Sequence, residues 1–125
     1  LMLNRQSERA TQAFAKVSQS ATGKPPVQFA CDLTDFTSVT NCANEIKAGY
    51  PGGIDVLCNN AGIMAVREEN AKDGYELQMT VNHFSHALLT RELMGLLETA
   101  AQRTGDARVV NHSSESRNGG KPFKE

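Results

Sequence analysis

The stretch IDVLCNNAGIM, Ile54 to Met64, decides the fold. It begins as a run of Ile, Val and Leu of strand length and stops abruptly in two amides, an alanine and a glycine. Amides and very small residues fill a core poorly. They suit a strand tip that something must approach closely, since Ala61 and Gly62 offer little or no side chain to keep it away. The other reading is a tight strand-to-loop turn whose amides cap backbone groups. For Asn59 to Gly62 taken alone, the two readings stand level.

Working outward, the same alternation of elements recurs. Pro51-Gly52-Gly53 is a turn that leads into the strand Ile54 to Cys58. Upstream, Phe36, Val39, Ala43 and Ile46 recur at helical spacing, which predicts a helix over Phe36 to Ala48 capped by Thr34 or Asp35. VQFAC, Val27 to Cys31, reads as a strand. Ser7 caps a helix over Glu8 to Ser20 with Ala10, Phe14 and Val17 on one face, and Leu1-Met2-Leu3 reads as the tail of a strand. Downstream, Val66 to Asp73 is a polar loop. The longest helical pattern, Gly74 to Gln102, carries Leu77, Val81, Phe84 and Leu88 on one stripe and Leu89, Leu93, Leu96 and Ala100 beside it. Gly105-Asp106 ends it, and Ala107 to His112 is the last strand. Short Val/Ile/Leu strands without strict alternation, separated by helices, predict a parallel sheet covered on both faces: a Rossmann-like, doubly wound α/β fold in three layers.

Bulk properties narrow the function. The chain has 125 residues, 22% charged and 39% hydrophobic, with a formal net charge of -1. That is room for one domain with a core, and no balance of charge asks for nucleic acid or an anionic membrane as partner. Apolar runs are far too short for a membrane span, and no signal-peptide layout is visible at the start. Cys31, Cys42 and Cys58 form no C-x-x-C pair and are odd in number, so neither a disulfide framework nor a zinc site is expected. Cys31 and Cys58 lie in apolar runs and read as buried thiols, which fits a reducing intracellular compartment such as the cytoplasm. His83 and His86 are three apart on a helix, yet no nearby carboxylate or cysteine completes a metal site. They read as core or surface histidines. His112 reads as a strand residue facing a neighbour.

In an open parallel α/β sheet, ligands bind outside the carboxyl ends of the strands. Here those ends carry Asn4-Arg5, Asp32-Leu33, Asn59-Asn60-Ala61-Gly62 and Ser113-Ser114. Four tips with small or polar groups point to one extended ligand crossing them, and a dinucleotide has that reach. Arg5 bears on which dinucleotide. An acid after the second strand meets the ribose hydroxyl of NAD, whereas an arginine accommodates the extra phosphate of NADP. Arg5 therefore favours NADP, with NAD second; the competing reading of Arg5 is a solvated surface residue.

Taken as a set, these residues resemble the short-chain dehydrogenase/reductase family. Asn59-Asn60-Ala61-Gly62 matches its N-N-A-G motif. Asp32-Leu33 matches its Asp–hydrophobic pair, whose aspartate meets the adenine. Asn82 within Val81-Asn82-His83 matches the asparagine of its long helix, and Val109 to Ser114 matches its fifth strand and catalytic serine. Asp73 to Thr90 is most similar to the retinol-dehydrogenase-like and protochlorophyllide-reductase-like branch. The resemblance implies hydride transfer between a nicotinamide and an alcohol or carbonyl small molecule. It gives Ser114 the task of orienting the substrate oxygen and Asn82 a part in holding a proton-relay water, while Arg5, Asp32, Leu33, Asn59, Asn60, Ala61 and Gly62 line the cofactor. For Asn82, simple bonding to backbone is the alternative. Family members often form homo-oligomers through the long helix and later elements.

The pattern breaks in two places. No G-x-x-x-G-x-G occurs, and neither Tyr50 nor Tyr75 opens a Y-x-x-x-K. Residues 1–125 are thus expected to be an interior piece of one NAD(P)-binding domain, incomplete at both ends, binding dinucleotide poorly on its own and not turning over. A non-catalytic dinucleotide sensor or interaction protein on the same fold is the alternative.

Overall fold

A computed structural model describes residues 1–114. The chain runs β1 (Met2–Asn4), α1 (Glu8–Ser20), β2 (Gln28–Ala30), α2 (Phe36–Gly49), β3 (Val56–Asn59), then a helical stretch, then β4 (Arg108–Asn111). The stretch opens with α3 (Leu77–Met79), widens into a π-helical turn over Thr80–Phe84 and continues as α4 (Ser85–Thr104). The alternation of strand and helix follows the sequence reading, with ends shifted by a few residues.

Local chemistry explains the helix starts. Ser7 Oγ accepts the Ala10 N–H at 3.1 Å, and Asp35 Oδ1 accepts those of Thr37 and Ser38 at 2.9 and 3.3 Å. Glu76 closes the start of the last helical stretch, taking the Gln78 and Met79 N–H groups at 2.9 and 2.7 Å. Gly105, at φ 83°, ends α4 in the left-handed conformation that glycine adopts without strain.

The core lies between α2 and α4, over the end of β2 and the inner face of β3. Val39, Cys42, Ala43 and Ile46 meet Leu89, Leu93, Leu96 and Leu97, with Cys31 and Leu57 beneath. Lys47 Nζ and Glu92 Oε2, 3.1 Å apart, bridge the two helices at the rim. One contact is unusually tight. Gly53, at φ 96°, leaves so little room that a Cβ there would sit 2.7 Å from both Ala100 N and Leu96 O. The approach lets the Ile54 N–H reach Leu96 O at 3.2 Å and sets the entry of β3. By contrast, α1 buries only Ala10; Val17, expected on its inner face, is 43% exposed.

All strand pairings among the described residues are parallel, but they form two separate ladders, β1–β2 and β3–β4. A doubly wound order of 3-2-1-4-5 explains the split: the four strands occupy its outer pairs, with a central position between β1 and β3. The β3–β4 ladder is covered on its α4 side. On its other face Val56 is 58% and Val110 46% exposed.

Candidate functional site at the strand tips

The sequence-predicted ligand residues converge. A cavity of about 1020 Å³ lies between β1 and β3, and Arg5, Asp32, Leu33, Asn59, Asn60, Ala61 and Gly62 all line it. Arg5 is exposed at its rim and forms no salt bridge among the described residues. Asn82 and Ser114 are not on the wall. Asn82 stands immediately behind Gly62, where a Cβ would come within 3.5 Å of its Oδ1. Ser114 is exposed, just beyond the end of β4.

The tip after β2 closes on itself. Asp32 Oδ1 accepts the Thr34 N–H at 2.9 Å and its hydroxyl at 2.8 Å, while the Asp32 N–H donates to Ser38 Oγ at 2.9 Å. Asp35 caps α2 and pairs with Lys72, and the Phe36 N–H donates to Asp73 Oδ2 at 2.8 Å. The hydrogen bond from Lys72 holds the Asp35 carboxyl below the usual carboxylate range. Backbone donation from Gln78 and Met79 does the same for Glu76.

The tip after β3 is held from far along the chain. Gln78 Oε1 accepts the Ala65 N–H at 3.2 Å. Asn82 accepts from the Ile63 N–H and donates to the Ile63 carbonyl, both at 2.8 Å. His86 Nε2 lies 2.8 Å from the Ala61 carbonyl, which makes it the protonated, donating nitrogen. Three side chains spaced by four thus grip three backbone units spaced by two. Sequence reasoning singled out Asn82 and set His86 aside. The legible signal was polar residues at i, i+4 and i+8, Gln78, Asn82 and His86, in a helix otherwise patterned for a core. The π-helical turn around Asn82, a feature frequent at functional sites, left no such signal.

The asparagines of the tip tie strands together. Asn59 is 5% exposed, and its Nδ2 donates to Thr90 Oγ1 at 3.0 Å and Asn111 Oδ1 at 2.8 Å. Asn60 Oδ1 meets His112 Nδ1 at 2.6 Å, so His112 does face a neighbour. Asn59 Oδ1 and His86 Nδ1 are buried without a hydrogen-bond partner. Both residues line the cleft. Unsatisfied buried polar atoms are costly and rare, and here they mark a wall suited to a polar ligand.

Two readings need correction or refinement. Cys58 is exposed on the cleft side, not buried, because its strand position faces away from α4. Cys31 and Cys42 are buried neighbours: donation from Cys42 lowers the Cys31 thiol, and the same bond raises Cys42. Tyr75 packs between Phe36 and Phe84, with ring centroids 5.9 and 5.4 Å away, so it serves the surface stack and not the cleft. Among the described residues no three His, Cys, Asp or Glu side chains gather as a metal site, and no helix is long and apolar enough to cross a membrane.

Comparison with known proteins places the chain. Residues 1–124 match the family model described as short chain dehydrogenase. Human retinol dehydrogenase 14 is 36% identical over 113 residues, covering 90% of this chain and 32% of that protein. The polyprenol dehydrogenase of Danio rerio is 36% identical over 111 residues, covering 87% and 34%. Among solved structures, the NADPH-bound carbonyl reductase from chicken fatty liver superposes with a TM-score of 0.71 at 26% identity, over 91% of this chain and 47% of that one. The chain therefore spans about a third of the length of these curated relatives.

Proposed function

The chain belongs to the short-chain dehydrogenase family, and from that premise we propose that it is the dinucleotide-holding part of an NADP-dependent oxidoreductase acting on an alcohol–carbonyl pair. One observation carries the reading. Residues from three strand tips, far apart in sequence, line one cleft that runs between β1 and β3 and reaches the carboxyl ends of the strands, where such folds bind ligands. The wall fits the cofactor: an exposed guanidinium at the rim that pairs with no acid among the described residues, small residues at the β3 tip and two buried polar atoms in need of partners.

In this reading Arg5 takes the ribose phosphate of NADP through paired, charge-assisted hydrogen bonds. Asp32 and Leu33 border the adenine. Asn59, Asn60, Ala61 and Gly62 border the remainder. When bound, the nicotinamide supplies or accepts the hydride. Ser114 orients the substrate oxygen. Asn82 acts as a positioning residue, since both ends of its amide are engaged by Ile63. A proton donor and acceptor of matched pKa is also required, and no Y-x-x-x-K stands in this sequence to supply it. Residues 1–125 are accordingly read as a partial NAD(P)-binding domain that binds dinucleotide weakly by itself and does not turn over.

The test is Arg5→Asp, with NADPH and NADH titrated separately into each protein. Loss of a charge-assisted phosphate contact should weaken NADPH roughly tenfold or more, with NADH little changed. An unchanged preference removes Arg5 from the site and the NADP assignment with it.

A further inference from the structure

We propose that Ser85 is a positioning residue for the dinucleotide: its hydroxyl helps set the separation of the two strand tips that hold the two halves of the cofactor. The inference rests on the reading of the cleft as a dinucleotide site. It concerns a side chain that is not on the cleft wall.

Ser85 is fully buried, and its Oγ donates to Leu33 O, 52 residues away in sequence, at 2.6 Å. Other helical hydroxyls of this chain are used differently. Those of Thr11, Ser20, Thr80, Thr99 and Thr104 turn back onto carbonyls three or four residues earlier, as a hydroxyl in a helix ordinarily does. Ser85 instead reaches out of its helix to another element. The backbone prepares this: the Ser85 N–H donates to Thr80 O, five residues earlier, and closes the π-helical turn from which α4 begins.

His86 is the next residue, about 100° further round the helix axis. Its Nε2 donates to Ala61 O at 2.8 Å. Two consecutive side chains of one helix therefore hold carbonyls on two different tips, Leu33 after β2 and Ala61 after β3. Both Leu33 and Ala61 line the cleft. In the reading above, Leu33 borders the adenine and Ala61 the remainder of the cofactor. The tie passes through the start of α4 and not through the sheet, so it holds whatever stands at the central strand position. A dinucleotide is two linked half-ligands. Its second half binds at an effective concentration set by how well the spacing of the two subsites matches the link between the halves. Without the Ser85 hydroxyl, the part-buried Leu33 carbonyl loses a partner where it stands, which favours a shift of that tip. The shift lowers the effective concentration while each subsite keeps its own contacts.

The test is Ser85→Ala in the full, isotopically labelled chain. It is titrated with NADPH and, separately, with adenosine 2′,5′-bisphosphate, which carries the adenine half and the ribose phosphate alone. Affinities are read from backbone amide shifts. NADPH should bind about fivefold more weakly than to the unmodified chain, while the bisphosphate stays within about twofold. Ser85→Cys, close in volume but a weaker donor, makes the same comparison if the alanine variant does not fold. Equal weakening of both ligands would mark Ser85 as a support of the adenine tip alone, and unchanged NADPH affinity would remove it from the site. Either result overturns the inference and leaves the dinucleotide site standing. If NADPH shifts no cleft amides in the unmodified chain, the reading of the site falls, and this inference with it.

Discussion

The tips after β2 and β3 line the same cleft, yet they differ in how much of their support is local. The β2 tip has local bonds, joining Asp32 to Thr34 and Ser38 and Asp35 to Thr37 and Ser38, beside long-range ones from Lys72, Asp73 and Ser85, whose Oγ donates to Leu33 O at 2.6 Å. The β3 tip takes its support from Gln78, Asn82 and His86, at least 13 residues away. A locally closed turn survives the loss of distant packing. A remotely held loop keeps its shape only while the long helix keeps its position. The β3 side of the cleft is therefore as rigid as the packing of α4, and the contacts that place that helix should matter most.

The largest expected effect lies at the root of β3. Gly53→Ala would push a methyl group into the backbone of Ala100 and Leu96 at a positive φ, and should cost about 3 kcal/mol in denaturant unfolding. A loss below about 1 kcal/mol would mean that α4 and β3 shift apart freely, and the contrast between the tips would weaken. Next, Asn82→Ala removes two hydrogen bonds to Ile63 and should cost roughly 1–2 kcal/mol. Its sharper signature is faster hydrogen exchange at Ile63 and Ala65 with Thr34 and Thr37 unchanged; equal acceleration at both tips would erase the distinction. Asp35→Ala deletes a helix cap together with the pair to Lys72 and should cost about 1 kcal/mol, with exchange rising most at Thr37 and Ser38.

The smallest effect is an acid dependence. Asp35 and Glu76 both sit below the ordinary carboxylate range when folded. Their stabilisation is therefore complete above the unfolded values near pH 4 and is lost as pH falls through the lower folded values. Asp35→Asn and Glu76→Gln should flatten the decline of stability below about pH 4, measured by urea unfolding across that range. Glu76 is exposed and Asp35 only part-buried, so the change in slope should be modest.

What was legible in the sequence follows the same division. Ser7 could be named as a cap, and Asp35 as one of two candidates with Thr34, because a cap bonds within three residues of itself. The stripes of α2 and α4 were legible because helical periodicity reports a buried face. That Arg5, Asp32 and Asn59 to Gly62 line one cleft was legible because each lies at or just past a strand end, and parallel strands bring their ends together. Gln78 and His86 were passed over because their spacing shows only that polar residues share one helix face, not that they bond the backbone of Ala65 and Ala61. Cys58 was misplaced because an apolar run does not say which of its residues face the helices. The two-ladder sheet depends on strand order, which periodicity along one segment cannot show.

The most direct measurement is a titration of the isotopically labelled chain with millimolar NADPH, following backbone amide shifts. The account predicts weak binding with perturbations gathered at Arg5, Asp32 to Thr34 and Asn59 to Ile63, and little change along α1. Perturbations centred elsewhere, or none at these concentrations, would contradict the assignment of the cleft as a dinucleotide site.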